Sequence, residues 1–134
     1  MNSLTLTKEQ LEEMIAHVDA LAPLEACGLL AGKNSSVEKV LTVTNQARSE
    51  VRYVMEPIEQ LHAFEWIESA GLELLGIFHS HPNGPPTLSP TDIAEAYYPV
   101  VYVILSRAAA QASWRACGFW MEDGNINEVD LQIK

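Results

Sequence analysis

The residues best suited to chemistry lie in one short run, His79-Ser80-His81-Pro82-Asn83-Gly84-Pro85-Pro86-Thr87-Leu88-Ser89-Pro90-Thr91-Asp92. In an extended chain, residues two apart point to the same face. His79 and His81 can therefore aim both imidazoles at one point, and Asp92 can return there once the Pro/Gly-rich segment has turned. Two neutral imidazoles and one carboxylate make a three-ligand set for a catalytic zinc, with the fourth position open to water. A hydrolase built on such a metal also needs a base and an oxyanion donor. Glu25, at the entry to the apolar run Cys27-Gly28-Leu29-Leu30-Ala31, is the preferred base, although spacing alone does not single it out from eighteen acidic residues.

The same residues have plainer readings. Ser89-Pro90-Thr91-Asp92 is also a good helix start, with Ser89 as N-cap and Pro90 as the first helical residue. Both readings can hold, because a cap fixes the side chains that a site needs. Taken alone, His79 and His81 are equally polar residues at a strand end, and Glu25 a surface acid closing the turn at Pro23.

Positioning these groups requires a sheet. Leu72 to Phe78 is the strand that delivers the histidines. Upstream, Thr7 and Gln10 form a capping-box pattern, and Leu11, Met14, Ile15, Val18, Leu21 and Ala22 recur at helical spacing until Pro23. Cys27 to Ala31 predicts a buried strand, Gly32 to Ser36 a turn, and Glu38 to Asn45 a second strand. Arg52 to Met55 predicts a third, since Tyr53 and Val54 favour strands. Pro57 opens a helix with an apolar stripe at Ile58, Leu61, Phe64 and Ile67, and Gly71 suits its end. After the histidine run, Pro90 opens a short helix that Pro99 closes. Val100 to Ser106, almost wholly apolar, predicts a central strand covered on both faces. Ser113 to Met121 predicts another, Asp123-Gly124 a hairpin turn, and Glu128 to Ile133 an edge strand. The order predicts an α/β fold, a mixed and curved β-sheet flanked by helices.

At 134 residues, of which 48% are hydrophobic, the chain (1–134) fits one domain with a core that needs no disulfides. Two cysteines, Cys27 and Cys117, are too few for a disulfide framework; read as reduced thiols they point to the cytoplasm. No run resembles a signal peptide or approaches the roughly 20 apolar residues of a membrane span. Eighteen acidic against eight basic residues, a formal charge of −10, argue against nucleic acid as a partner.

Glu25-Ala26-Cys27-Gly28-Leu29-Leu30, then His79-Ser80-His81-Pro82, then Ser89 and Asp92 resemble the JAMM/MPN+ metalloprotease family, whose pattern is a distant Glu, His-Ser/Thr-His-Pro, and Ser-x-x-Asp. The resemblance runs from about Leu11 to about Trp120, with every motif position filled. It implies Zn²⁺ bound by His79, His81 and Asp92, a water in the fourth position, Glu25 as general base toward that water and proton donor to the leaving amine, and Ser89 as donor to the tetrahedral intermediate. It implies hydrolysis of an amide or isopeptide bond after the Gly-Gly tail of a ubiquitin-like or sulfur-carrier protein. The small stand-alone prokaryotic members resemble this chain most, and some of those remove an attached cysteine. With only residues 83–88 between Pro82 and Ser89, and no long insertion elsewhere, the chain lacks what members that cut ubiquitin chains use to grip both ubiquitins.

Two rivals stand beside this expectation. Asn83-Gly84 and the prolines also resemble the loop of DNA-repair-associated relatives, but there an Asn commonly splits the histidines, and the acidic charge suits DNA poorly. A binding module with a structural zinc would need a fourth protein ligand, for which Cys27 is the candidate; otherwise Cys27 is a small buried hydrophobe. Nothing marks His17 or His62 as ligands. Trp66, Trp114 and Trp120 read as core or rim.

Overall fold

The structure, a computed structural model, describes residues 2–134. Its elements are β1 (Ser3–Leu6), α1 (Lys8–Leu21), β2 (Cys27–Lys33), β3 (Ser36–Val43), α2 (Pro57–Ser69), β4 (Glu73–His81), α3 (Pro90–Ala94), β5 (Val101–Ser106), β6 (Arg115–Glu122) and β7 (Asn125–Ile133). The strands close a barrel in the order β1-β3-β2-β4-β5-β6-β7. β4 and β5 run parallel, as does β1 with both neighbours; the other pairs are antiparallel. The fold is therefore mixed α/β, as expected.

Three expectations need correction. The segment from Glu128 to Ile133 is not an edge. It belongs to a longer β7 that pairs with β6 and, from Asp130 to Ile133, with β1. β1 escapes a sequence reading because it is four residues long and abuts the cap of α1, although buried Leu4 and Leu6 already alternate with half-buried Ser3 and Thr5. Arg52–Met55 forms no strand; Met55 makes one isolated bridge to Asn45. Strand propensity is weak against tertiary context, and this segment is held by a side chain instead, as described below. Finally, of the stripe on α2, Ile67 is buried and Phe64 half-buried, whereas Ile58 and Leu61 are 59% and 53% exposed.

Local chemistry explains the rest. The capping box forms as read: Gln10 N–H donates to Thr7 Oγ1 at 3.1 Å and Thr7 N–H to Gln10 Oε1 at 2.9 Å. Met14 and Val18 of α1 pack against Leu4, Leu6, Leu30, Phe78, Val101, Val103 and Leu105 on one side of the sheet. Ile67 of α2 packs with Cys27, Leu29, Ala31, Ile77 and Tyr102 on the other. All six residues of β5 are buried, as its continuous apolar run requires. Asp123 (φ 51°) and Gly124 (φ 78°) make the β6–β7 turn with the paired positive φ values of a type I′ hairpin. Gly28 is required where β2 passes β4: a Cβ there would lie 2.4 Å from the Phe78 ring and 2.6 Å from the Leu41 carbonyl oxygen.

Candidate active site

β4 extends three residues further than expected and carries both histidines within the strand. They share a face, and their Nε2 atoms are 3.1 Å apart. Asp92 arrives from α3, where the capping reading and the site reading coincide. Asp92 N–H donates to Ser89 Oγ at 3.0 Å and Ser89 N–H to Asp92 Oδ2 at 2.9 Å. That same Oδ2 lies 3.2 Å from His79 Nε2 and 3.1 Å from His81 Nε2.

The three atoms form a nearly equilateral triangle with edges of 3.1–3.2 Å. Tetrahedral zinc, with bonds of about 2.0–2.2 Å to N and O, spaces its ligands about 3.3–3.5 Å apart, so the donor set and its spacing fit the ion. The ring tautomer fits too. His81 Nδ1 lies 2.9 Å from the Pro85 carbonyl, which can only accept, so Nδ1 carries a proton and Nε2 is the nitrogen left to give its lone pair to an ion.

Glu25 offers a carboxylate oxygen within 4.8 Å of a ring nitrogen of both imidazoles. The two acids differ in character. Burial works to raise the Asp92 pKa, but hydrogen bonds from His79, His81 and the Ser89 amide outweigh it and hold the carboxyl well below the usual range. Glu25, 4% exposed and with Oε1 unpartnered, is pushed up to about 7 by burial, which His81 opposes and Asp92 reinforces. One acid is an anion in contact with both histidines; the other has its pKa raised toward neutrality.

The backbone around Glu25 is tightly held. Its N–H donates to the Ser49 carbonyl at 2.8 Å. Ser80, pointing to the opposite face from the histidines, accepts from Ala26 N–H at 2.8 Å through Oγ, and its own N–H donates to the Ala26 carbonyl at 3.0 Å. The turn after His81 is fixed by Arg107, whose Nε donates to the Pro82 carbonyl at 3.1 Å while the guanidinium lies over Trp114 at 4.6 Å. Asp19 holds both partners, accepting from Arg107 Nη1 at 3.3 Å and Trp114 Nε1 at 3.0 Å. Ser80 fills a motif position but its role is not readable from sequence, and Arg107 and Asp19 carry no sequence signal; their partners are backbone or distant in the chain, so no spacing reveals them.

Two pockets flank the site. On one side, Glu25, His81 and Ser89 share a pocket of about 240 Å³ with Glu50, Val51 and the turn at Pro82–Pro85. On the other, Asp92 and Tyr53 share a pocket of about 220 Å³ with Arg52, Ile77, Tyr98 and Tyr102. Arg52 Nε and Glu95 Oε1, both lining that pocket, meet at 3.2 Å.

Cys27 does not join the group. Its Sγ donates to the Val43 carbonyl at 3.5 Å, and burial above all pushes its thiol up to about 12, opposite to the thiolate that zinc binds. His17 is half-buried, its Nε2 3.1 Å from the Cys27 carbonyl oxygen, and His62 is exposed.

Comparison with known proteins agrees with this geometry. Residues 7–117 match the family described as prokaryotic homologs of the JAB domain. A probable TtuB-protein conjugate cleaving protease of Thermus thermophilus is 43% identical over 103 residues, 76% of this chain and 69% of that protein. A desampylase of Pyrococcus furiosus is 34% identical over 121 residues, 90% of this chain and 84% of that protein. The solution structure of a Desulfitobacterium hafniense protein superposes with a TM-score of 0.86 at 37% identity, covering 98% of this chain and 92% of the other. The chain belongs to the prokaryotic JAB-domain family, the JAMM/MPN-type metallopeptidases that its motif resembles.

Proposed function

We propose that the chain, acting as a single catalytic domain over residues 1–134, is a zinc-dependent peptidase or isopeptidase. It hydrolyses the amide bond that follows the C-terminal Gly-Gly tail of a ubiquitin-like or sulfur-carrier protein. The observation that carries this reading is the triangle of His79 Nε2, His81 Nε2 and Asp92 Oδ2 with a second, raised-pKa carboxylate, Glu25, beside it. The substrate class is supported by the relatives, one named for cleaving protein conjugates and one a desampylase.

In this reading His79, His81 and Asp92 hold the zinc. The ion, when bound, supplies Lewis-acid polarisation of the reacting oxygens. Glu25 takes a proton from the attacking water and returns it to the departing amine, a two-way role suited to a carboxyl near neutrality. Ser89 Oγ already accepts from Asp92 N–H, which leaves its own proton free to donate to the oxyanion. A tail lying extended across the site from one pocket to the other would bring its carbonyl past these groups, and glycines let the backbone approach closely. No described helix is long and apolar enough to cross a membrane; with two free cysteines, we take the working compartment to be the cytoplasm.

The test is intact-mass analysis of ubiquitin-like and sulfur-carrier proteins bearing short C-terminal extensions or a single added cysteine. Trimming to a terminal Gly-Gly, lost on chelation and in Glu25→Gln, is the expected result. Trimming that survives Glu25→Gln removes Glu25 as the base, and no trimming by the zinc-loaded protein removes the substrate class.

A further inference from the structure

The segment between β3 and α2 packs over the site without strand pairing beyond one bridge, so something else must fix it. Besides the main-chain bonds around that bridge, from Gln46 N–H to the Val54 carbonyl at 2.7 Å and from Glu56 N–H to the Thr44 carbonyl at 3.0 Å, the side-chain fastening is Asn45, which is buried and uses all of its main hydrogen-bonding capacity. Its Nδ2 donates to the Glu25 carbonyl at 2.9 Å and to the Arg52 carbonyl at 3.1 Å. Its Oδ1 accepts from Ala47 N–H at 3.0 Å and from Val54 N–H at 2.9 Å. The residues held at 52 and 54 flank Tyr53, and the Tyr53 ring stacks on His79 with centroids 4.6 Å apart and planes 26° apart.

That stack matters because of what His79 lacks. A metal-binding histidine ordinarily has its second ring nitrogen fixed by a hydrogen bond, which sets the orientation of the ring. His81 follows this pattern through Pro85. His79 Nδ1 is buried with no partner among the described residues. Apart from the contact of Nε2 with Asp92 at 3.2 Å, its ring is held by packing, and Tyr53 is the aromatic face it stacks on. One amide therefore grips the backbone of Glu25 and, through the residues on either side of Tyr53, the ring that orients His79.

We propose that Asn45 is the positioning residue of this site, setting the base Glu25 and the imidazole of His79 in register with each other. The inference rests on the metal reading above and adds a residue to it that touches neither metal nor substrate. A buried side chain with four bonds to backbone also stabilises the fold, so the test needs measurements that general destabilisation does not move.

Zinc affinity is measured by competition with a chromogenic chelator, and kcat and KM on a ubiquitin-like protein with a C-terminal extension. The proteins are the wild type, Asn45→Asp, Asn45→Ala, Tyr53→Leu and Tyr53→Phe, all assayed below their unfolding midpoints. Val129→Ala, a core change on β7, serves as the reference for lost stability alone. Asn45→Asp keeps both acceptors but can no longer donate to the Glu25 and Arg52 carbonyls. It is expected to weaken zinc about 10–100-fold, as loss of outer-sphere partners does. Its kcat is expected to fall by a similar factor, with KM little changed. Tyr53→Leu should weaken zinc in the same way, and Tyr53→Phe, which keeps the ring, should restore the affinity. The proposal is overturned if folded Asn45→Asp keeps its zinc affinity and kcat. It is equally overturned if Val129→Ala weakens zinc as much for the same loss of midpoint. Should neither Asn45 variant fold, tight zinc binding by Tyr53→Leu overturns it. A wild-type protein that binds no zinc removes the metal reading itself, and the inference with it.

Discussion

Replacing Glu25 by Gln should make the metal-free protein more stable, and only above a particular pH. Burial raises the folded-state pKa of Glu25 from an ordinary 4.5 to about 7. Below pH 4.5 the carboxyl is protonated in both folded and unfolded chains, and the buried group costs little. Between 4.5 and 7 the unfolded chain ionises and the folded one does not, so stability falls with pH. Above 7 both are ionised and the whole penalty is in place. At about 1.4 kcal/mol per pKa unit, the penalty approaches about 3 kcal/mol; we expect about 2–3 kcal/mol after local relaxation. Gln has nearly the same shape and no charge to desolvate. Chelator-stripped Glu25→Gln should therefore match the wild type at pH 4.5 and exceed it at pH 8. At roughly 4 °C per kcal/mol for a chain of this size, the difference at pH 8 is roughly 8–12 °C in unfolding midpoint. Circular dichroism melts at half-unit pH steps measure it. A gap independent of pH, or one that closes as pH rises, would refute the assignment of Glu25 as a buried, desolvated acid. Zinc should shrink the gap, since a nearby cation favours the carboxylate.

Three further outcomes follow from the same geometry. Ser89→Ala should lower kcat by about 10²–10³-fold with KM little changed, the loss typical of an oxyanion donor; Ser89→Thr should recover part of it in steady-state assays. Zinc at about 1,000 times its dissociation constant should raise wild-type stability by about 4 kcal/mol, and His81→Ala should abolish that gain in calorimetric scans. Ser80→Ala leaves the buried Ala26 N–H without its acceptor and should cost about 1–3 kcal/mol in denaturant melts while displacing the chain beside Glu25.

The features legible in the sequence are those whose signal is local. The two histidines declare themselves because strand geometry gives residues two apart a common face, and Ser89 and Asp92 because a helix cap has a fixed spacing. The capping box at Thr7 and Gln10 and the buried β5 were readable for the same reason. Glu25 was visible only through the resemblance of its surroundings to a known motif, since eighteen acidic residues offer no local reason to choose it. The barrel closure was not legible: β7 lost its edge to a strand of four residues that no periodicity window resolves. Tyr53 was read as a strand residue, and its propensity does favour one. What fixes it is Asn45, a single polar residue whose four partners are all main-chain groups, and main-chain groups leave no mark on a sequence.

The topology explains why Glu25 could be so far away in sequence. β2 and β4 are antiparallel neighbours in which Cys27 lies opposite His79. Extending that register by two residues sets Glu25, before the start of β2, across from His81, at the end of β4. β4 then joins its parallel neighbour β5 by the crossover that contains α3, and His81 lies opposite Ser106 in that pair. Ligand sites in sheets with parallel crossovers tend to form at the carboxyl ends of the strands, where the following helix begins. Here the end of β4 supplies two imidazoles and the first turn of α3 supplies Asp92 and Ser89. The antiparallel partner, entering from the other side, supplies Glu25, the proposed base. The proposed ligands thus come from β4 itself and from the crossover toward β5, and the proposed base from the segment before β2, on the other side of β4. A one-residue slip of β2 against β4 would turn Glu25 to the opposite face. Gly28, pressed between Phe78 and the Leu41 carbonyl, and Ser80, bonded to Ala26 on both polar groups, fix that register beside the base.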